Sequence, residues 1–258
     1  MARISTKSNG TIGYADAGNA GLPIVLLHGV GSDKSVWHPQ LEHFGKSRRA
    51  LAFDYPGYGD SDPASKGTTR DDYAAAIFAA MTELGITRAH ICGLSLGGVV
   101  AMAMHYADPR RCASLILADT FAVHPDGRGI YERSVAGSAD MRSLAEARVD
   151  FLLAQPADPE VRSEVIETMS RIDPAAYCIG AEAVWLADQR ERVAAIDVPT
   201  LILVGDEDKP TPPALSEELH ALIPHSRLEI IERAGHLTNL EQPDVFNDSI
   251  EAFFQGID

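Results

Sequence analysis

The chain has 258 residues, 45% hydrophobic and 23% charged, an ordinary globular composition with room for one large core or a core carrying a sizeable insertion. Its formal net charge of −15 argues against nucleic acid or anionic membrane surfaces as partners, although a few local arginines can still dominate a small site within a Debye length of about 8–10 Å. No apolar run approaches the roughly 18 residues of a membrane span, and residues 1–8 carry no apolar stretch of the signal-peptide kind, so a cytoplasmic protein without membrane association is expected.

β-rich runs alternate with helical patterns along the chain, which predicts a largely parallel sheet covered by helices. Residues 11–16 and 23–28 read as strands. His38 and His43, five apart on an expected helix, face solvent rather than a metal. Residues 50–54 form an apolar run that ends at Asp54 before the turn signal Pro56-Gly57. A helix is predicted over 71–84, with Asp71 and Asp72 near its start, where the helix dipole favours negative charge. A strand over 89–92 is followed by a helix over 96–106, which Asp108-Pro109 stops. Residues 114–119 form the next strand.

The rhythm then changes. No strand is evident over 121–193, whereas 142–153, 159–171 and 174–192 all read as helices. Strands return at 200–205 and 227–231, and an amphipathic helix over 243–254 closes the chain. The division expected is a core of residues 1–120 and 194–258 with a helical lid of 121–193 inserted into it. Cys92, Cys112 and Cys178 are scattered, with neither metal spacing nor a disulfide framework. Cys92 falls in a buried strand and reads as a small core residue.

Gly93-Leu94-Ser95-Leu96-Gly97 stands between a predicted strand and a predicted helix. This is the form of a nucleophile elbow, in which a sharp turn raises the serine hydroxyl above the sheet. A serine hydroxyl needs a base within hydrogen-bond reach. His236 follows the last predicted strand and precedes the last helix, so it lies at the sheet edge where Ser95 emerges. A carboxylate should orient its imidazole. Asp206, Glu207 and Asp208 stand just past the run 200–205, and Asp119 ends an earlier strand. For the oxyanion, the backbone N–H of Leu96 directly after the serine is one donor. The N–H of Val30, in the loop His28-Gly29-Val30-Gly31 after an early strand, is the other. His28 itself reads as a structural hydrogen-bonding residue.

Taken together, His28-Gly29, Asp54-Tyr55-Pro56-Gly57-Tyr58-Gly59-Asp60-Ser61, the elbow, Gly205-Asp206-Glu207-Asp208 with Pro212, and Gly235-His236 resemble the α/β-hydrolase family over nearly the whole chain. The resemblance implies that family's α/β fold, a mostly parallel doubly wound sheet with an inserted helical lid. It also selects Asp208 as the acid, three residues after the glycine and four before the proline. The chain order Ser, Asp, His matches as well. The segments 172–177, 186–188 and 234–243 are similar in type to 3-oxoadipate enol-lactonase-like serine hydrolases, while residues 121–148 depart from that pattern.

The function these residues imply is hydrolysis of a small carboxylic ester or lactone through an acyl-enzyme. C–C bond hydrolases of ring-fission diketones use the same scaffold and triad, and a non-catalytic small-molecule receptor on this fold is the reading of another class. A serine at the elbow argues against dehalogenase or epoxide hydrolase chemistry. Gly57-Tyr58-Gly59 lacks the third glycine of a dinucleotide fingerprint, and no cofactor or metal is expected. Trp37, Phe121, His124, Tyr131, Arg133 and Trp185 are candidates to line the substrate pocket, with Arg128, Arg133 or His124 available to a substrate carboxylate. The partner expected is a small-molecule substrate, and a homodimer is compatible with the reading.

Overall fold

In the computed structural model, which describes residues 2–257, the apolar runs assemble into one eight-stranded sheet of order β1-β2-β4-β3-β5-β6-β7-β8. The chain order is β1 (Ala2–Ser5), β2 (Thr11–Ala17), β3 (Ile24–Leu27), α1 (His38–Phe44), β4 (Ala50–Phe53), α2 (Arg70–Glu83), β5 (Ala89–Leu94), α3 (Leu96–Ala107) and β6 (Cys112–Ala118). Four helices follow before the sheet resumes: α4 (Gly127–Gly137), α5 (Met141–Leu152), α6 (Pro159–Ser170) and α7 (Pro174–Trp185). The chain then continues through α8 (Arg190–Val193), β7 (Thr200–Gly205), α9 (Pro213–Leu222), β8 (Arg227–Ile231), α10 (Thr238–Glu241) and α11 (Pro243–Phe254). Among the described residues, no helix is long and apolar enough to cross a membrane.

Strand position follows from composition. Every residue of β3, β4, β5, β6 and β7 is buried, as expected for strands covered on both faces. All neighbouring pairs from β4 to β8 across the sheet are parallel, and β1 and β2 add antiparallel pairings at one edge. The outermost strands β1 and β8 are partly exposed. On one face α1 packs with α11; α2, α3, α8 and α9 form a contiguous row of covering helices.

The predicted elements shift in instructive ways. Thr69 caps α2 with Asp72 in a reciprocal capping box, so that helix starts at Arg70. Asp158 and Asp173 cap α6 and α7 immediately ahead of Pro159 and Pro174, which is why both starts are legible in the sequence. The helix expected over 174–192 is instead two. Between them Asp188 bridges Val123, Gln189 N–H donates to the Ala122 carbonyl (2.8 Å), and the Gln189 side-chain amide donates to the Val99 carbonyl (2.9 Å). These tertiary bonds draw the backbone out of helix. The helix α4 went unpredicted because it holds Gly127, Gly129 and Gly137, poor helix formers. Its docking onto α7 explains its first residue, since a Cβ at Gly127 would collide with the Trp185 carbonyl.

The loop after β3, which carries Val30, is pinned to the loop after β4 by a buried ion pair. Lys34 Nζ reaches Asp54 Oδ2 (2.6 Å) and Asp60 Oδ2 (2.7 Å), while the Asp54 carboxylate also accepts the backbone N–H groups of Lys34 and Asp60. Asp54 is fully buried. Removing one partner from such a pair leaves an uncompensated charge in the interior. Lys34→Ala is therefore expected to lower unfolding free energy by about 3–5 kcal/mol in urea titrations. A loss below about 1 kcal/mol, the range of an exposed pair, would contradict this role.

Candidate active site

Ser95 sits between β5 and α3 with φ 56° and ψ −114°, a left-handed φ that non-glycine residues adopt rarely. Such a conformation costs of order 1–3 kcal/mol and persists only where the surroundings hold it. Here the Ser95 N–H donates to the Ala118 carbonyl (2.9 Å), and the Ser95 carbonyl accepts the Thr120 hydroxyl (2.9 Å) and the Gly98 N–H (3.0 Å). The flanking glycines are a steric requirement. A Cβ at Gly93 would enter the Gly97 backbone, and one at Gly97 would enter the Leu27 carbonyl. The Ser95 hydroxyl is buried and makes no hydrogen bond within the described residues.

His236 stands on the loop between β8 and α10. Its Nδ1 is 2.9 Å from Asp208 Oδ2. An ionised carboxylate only accepts, so Nδ1 carries the proton and Nε2 is left as the basic nitrogen. Asp208 also accepts the Thr211 N–H (2.8 Å) and the Thr211 hydroxyl (2.6 Å), which fixes both of its oxygens. The other acids considered have different work. Asp206 accepts from Ala234 N–H, Glu207 from Gln155 N–H, and Asp119 from Gly205 N–H and the Thr238 hydroxyl. Only Asp208 meets the imidazole.

The histidine loop is tied to the helical insertion. The His236 N–H donates to the Leu152 carbonyl at the end of α5 (2.7 Å). Glu241 accepts from Ala154 N–H on one oxygen, and from Gly235 and Leu237 N–H on the other. Burial pushes the Glu241 carboxyl above its ordinary range, opposed by these three donors. Neither Thr211 nor Glu241 was singled out from the sequence as a site residue. Glu241, six residues after Gly235, gives no local signal that it points back at the loop.

Above Ser95 lies a cavity of about 40 Å³, lined by Gly29, Val30, Leu152, Met169, Tyr177 and His236 among others. The N–H groups of Val30 and Leu96 donate to no carbonyl or side chain in the described structure; Leu96 is the first residue of α3, where helical N–H groups lack an internal partner. His28 is fully buried beside Tyr55 and Tyr58, with Nδ1 against the Gly29 carbonyl (2.8 Å). Burial holds it below the ordinary histidine range, which fits a neutral structural role.

The expected pocket residues are redistributed. Trp185 lines the cavity over Ser95 and also a vestibule of about 550 Å³ beside it, which His124 and Arg133 line as well. Four expectations need correction. Trp37 ends a helical turn that faces α11 and is fully buried against Phe246, so it is core. Phe121 stacks behind Trp185, fully buried, and lines neither space. Tyr131 is half-buried against the core and lines neither, and Arg128 is exposed away from both. Sequence reading missed Arg148, Leu152, Met169 and Tyr177, which do line the cavity. A signal for Arg148 existed: Met141, Ala145, Arg148 and Leu152 fall on one stripe of α5 at helical spacing, and Arg148 is its one charged member.

A model of the alpha/beta hydrolase family matches residues 24–249. The chain is 28% identical over 238 residues to 3-oxoadipate enol-lactonase 1 of Acinetobacter baylyi, covering 91% of this chain and 89% of that protein. The enol-lactonase from Burkholderia xenovorans superposes with a TM-score of 0.90 at 27% identity, over 98% of this chain and 100% of the other. A thermophilic esterase from Thermogutta terrifontis superposes equally, at TM-score 0.90 and 28% identity, over 99% and 98%.

Burial and the neighbouring charge of Asp208 hold the Asp119 carboxyl well above its ordinary range. A carboxyl raised on folding supports the fold fully below its unfolded pKa of about 3.9 and loses that contribution as pH rises toward its folded value. Asp119→Asn removes the titration. The stability of the variant relative to the wild type is expected to increase between about pH 4.5 and pH 8, read from urea midpoints. A difference that stays flat or falls over that window would contradict the assignment.

Proposed function

We propose, from the premise that the chain belongs to the alpha/beta hydrolase family, that it is a serine hydrolase of small carboxylic esters or lactones. The observation that carries this reading is the placement of Ser95 and His236 on one cavity, with Asp208 behind the imidazole. His236 Nε2 takes the Ser95 proton as Oγ attacks the carbonyl. Asp208 holds the tautomer and stabilises the imidazolium that forms. The N–H groups of Val30 and Leu96 receive the oxyanion, a type of interaction worth roughly 3–4 kcal/mol of barrier per donor in known cases. Collapse of the tetrahedral intermediate expels the alcohol, which takes the proton from His236. The same histidine then activates water to cleave the acyl-enzyme. Each step uses side chains and backbone of this chain.

An ester or lactone bond is supported by relatives named as enol-lactonases and an esterase. The small space over Ser95 supports a short acyl group. Ser95→Ala is expected to lower kcat by on the order of 10⁴-fold or more. Near-normal turnover by a clean preparation of that variant would overturn the assignment. Across p-nitrophenyl acetate, an enol-lactone and a ring-fission diketone, the wild type is expected to favour the ester or the lactone in kcat/KM. Preference for the diketone would replace this reading with C–C bond hydrolysis.

A further inference from the structure

Asp119 is a fully buried carboxyl to which the proposed reaction gives no step. It follows β6 with φ 48°, a left-handed conformation that a residue with a Cβ keeps only where its surroundings hold it. Its N–H donates to the Leu203 carbonyl of β7 (2.9 Å). Its side chain is divided between two loops. Oδ1 accepts the Gly205 N–H (3.1 Å), and Oδ2 accepts the Thr238 hydroxyl (2.6 Å). Gly205 ends β7 three residues before Asp208, and Thr238 opens α10 two residues after His236. One oxygen therefore holds the loop of the acid, and the other holds the loop of the base.

The neighbours of Asp119 hold the third member. The Ala118 carbonyl accepts the Ser95 N–H (2.9 Å), and the Thr120 hydroxyl donates to the Ser95 carbonyl (2.9 Å). Consecutive residues 118, 119 and 120 thus touch the nucleophile's backbone, the acid loop and the base loop. The two loops also meet directly. The Glu207 N–H donates to the Ala234 carbonyl (2.9 Å), and a Cβ at Gly205 would enter the carbonyls of Ala234 and Gly235. These contacts fix the base loop ahead of His236 in the chain. Thr238 on Asp119 fixes it again behind His236, so the imidazole is carried between two anchored points. Asp119 makes no hydrogen bond to the side chains of Asp208 or His236 among the described residues.

We propose that Asp119 is a positioning residue for the triad: its carboxyl spans the acid and base loops and sets the register of His236 against Asp208 and Ser95. This rests on the serine hydrolase reading above. An imidazole displaced by about an ångström misses the near-attack geometry, at a cost of about 10²-fold in rate. Asp119 does not line the cavity over Ser95, so its removal acts on the chemical step and not on substrate binding.

The test measures turnover of p-nitrophenyl acetate by the full chain. Asp119→Ala is expected to lower kcat by about 10²-fold with KM within about twofold of the wild type. Burial and the charge of Asp208 hold the Asp119 carboxyl above its ordinary range, which makes a neutral amide its nearest replica. Asp119→Asn can accept from Gly205 N–H and donate to Thr238, and it should restore kcat to within about threefold of the wild type. The deciding measurement repeats Asp119→Ala in an Asp208→Asn background. There the pair that Asp119 aligns is already broken, and a further loss below about threefold is expected, because residues acting as one unit are not additive.

Equal losses in both backgrounds overturn the proposal, since a general structural role does not depend on Asp208. A folded Asp119→Ala with kcat within about threefold of the wild type also overturns it. So does an Asp119→Asn no more active than Asp119→Ala. Where Asp119→Ala does not fold, Thr238→Val takes its place. It is expected to lower kcat by about 10-fold in the wild type and by less than about twofold in Asp208→Asn; equal losses again overturn the proposal. The two levels separate cleanly. A low kcat in Asp208→Asn beside a normal Asp119→Ala removes the positioning role alone, whereas near-normal turnover by Asp208→Asn and Ser95→Ala removes the serine hydrolase reading beneath it.

Discussion

The backbone of Ser95 is held in a left-handed conformation by closure from two sides, and the rest of the site is arranged around that one residue. Ala118 of β6 takes its N–H, and Thr120 donates to its carbonyl. The first turn of α3 can approach β3 and β5 only because residues 93 and 97 lack side chains. The cost of the turn is of the same order as a large single-residue effect on stability, so it requires a rigid base. The sheet supplies that base. Its five central strands are buried throughout, and β5 lies among them.

Around this fixed point the remaining groups arrive on loops, and each loop is locked by a buried polar contact. Lys34 and Asp54 fix the Val30 loop. Thr211 and His236 hold Asp208 on both oxygens. Glu241 and the Leu152 carbonyl bind the His236 loop to the end of α5. The last contact ties the histidine loop to the cavity wall, because α5 carries Arg148, which lines the cavity, one turn before Leu152. The positions of His236 and of Arg148 are thus both tied to one helix. A change that displaces α5 would move both.

The juxtaposition of Ser95 and His236 in the candidate site is legible in the sequence because its signals are local. The glycine spacing about Ser95 reports a steric contact between neighbours in the chain, and His236 follows a strand whose apolar run is plain. The choice among four carboxylates was not local. Asp119, Asp206 and Asp208 all follow buried strands, and a family resemblance separated them before the bond to His236 did. The pocket was the least legible part. Trp37 and Phe121 are large aromatics that fill core, and nothing in their sequence neighbourhood says which side they face. Arg148 belonged to a helical stripe otherwise apolar, a signal that pointed inward but not to a partner. The glycine-rich α4 and the break after Trp185 are tertiary effects, set by docking onto α7 and by the bonds of Gln189.

The proposed reaction requires that Ser95 become covalently acylated with His236 as its base. Acid quenching during turnover of an activated acetate ester, followed by peptide mass spectrometry, tests it most directly. An acetyl adduct is expected on the peptide bearing Ser95, located to that residue by fragmentation and more abundant in His236→Ala preparations acylated slowly to completion, where deacylation has lost its base. An adduct on another residue, or turnover with Ser95 unmodified under conditions that trap acyl-enzymes, would contradict it.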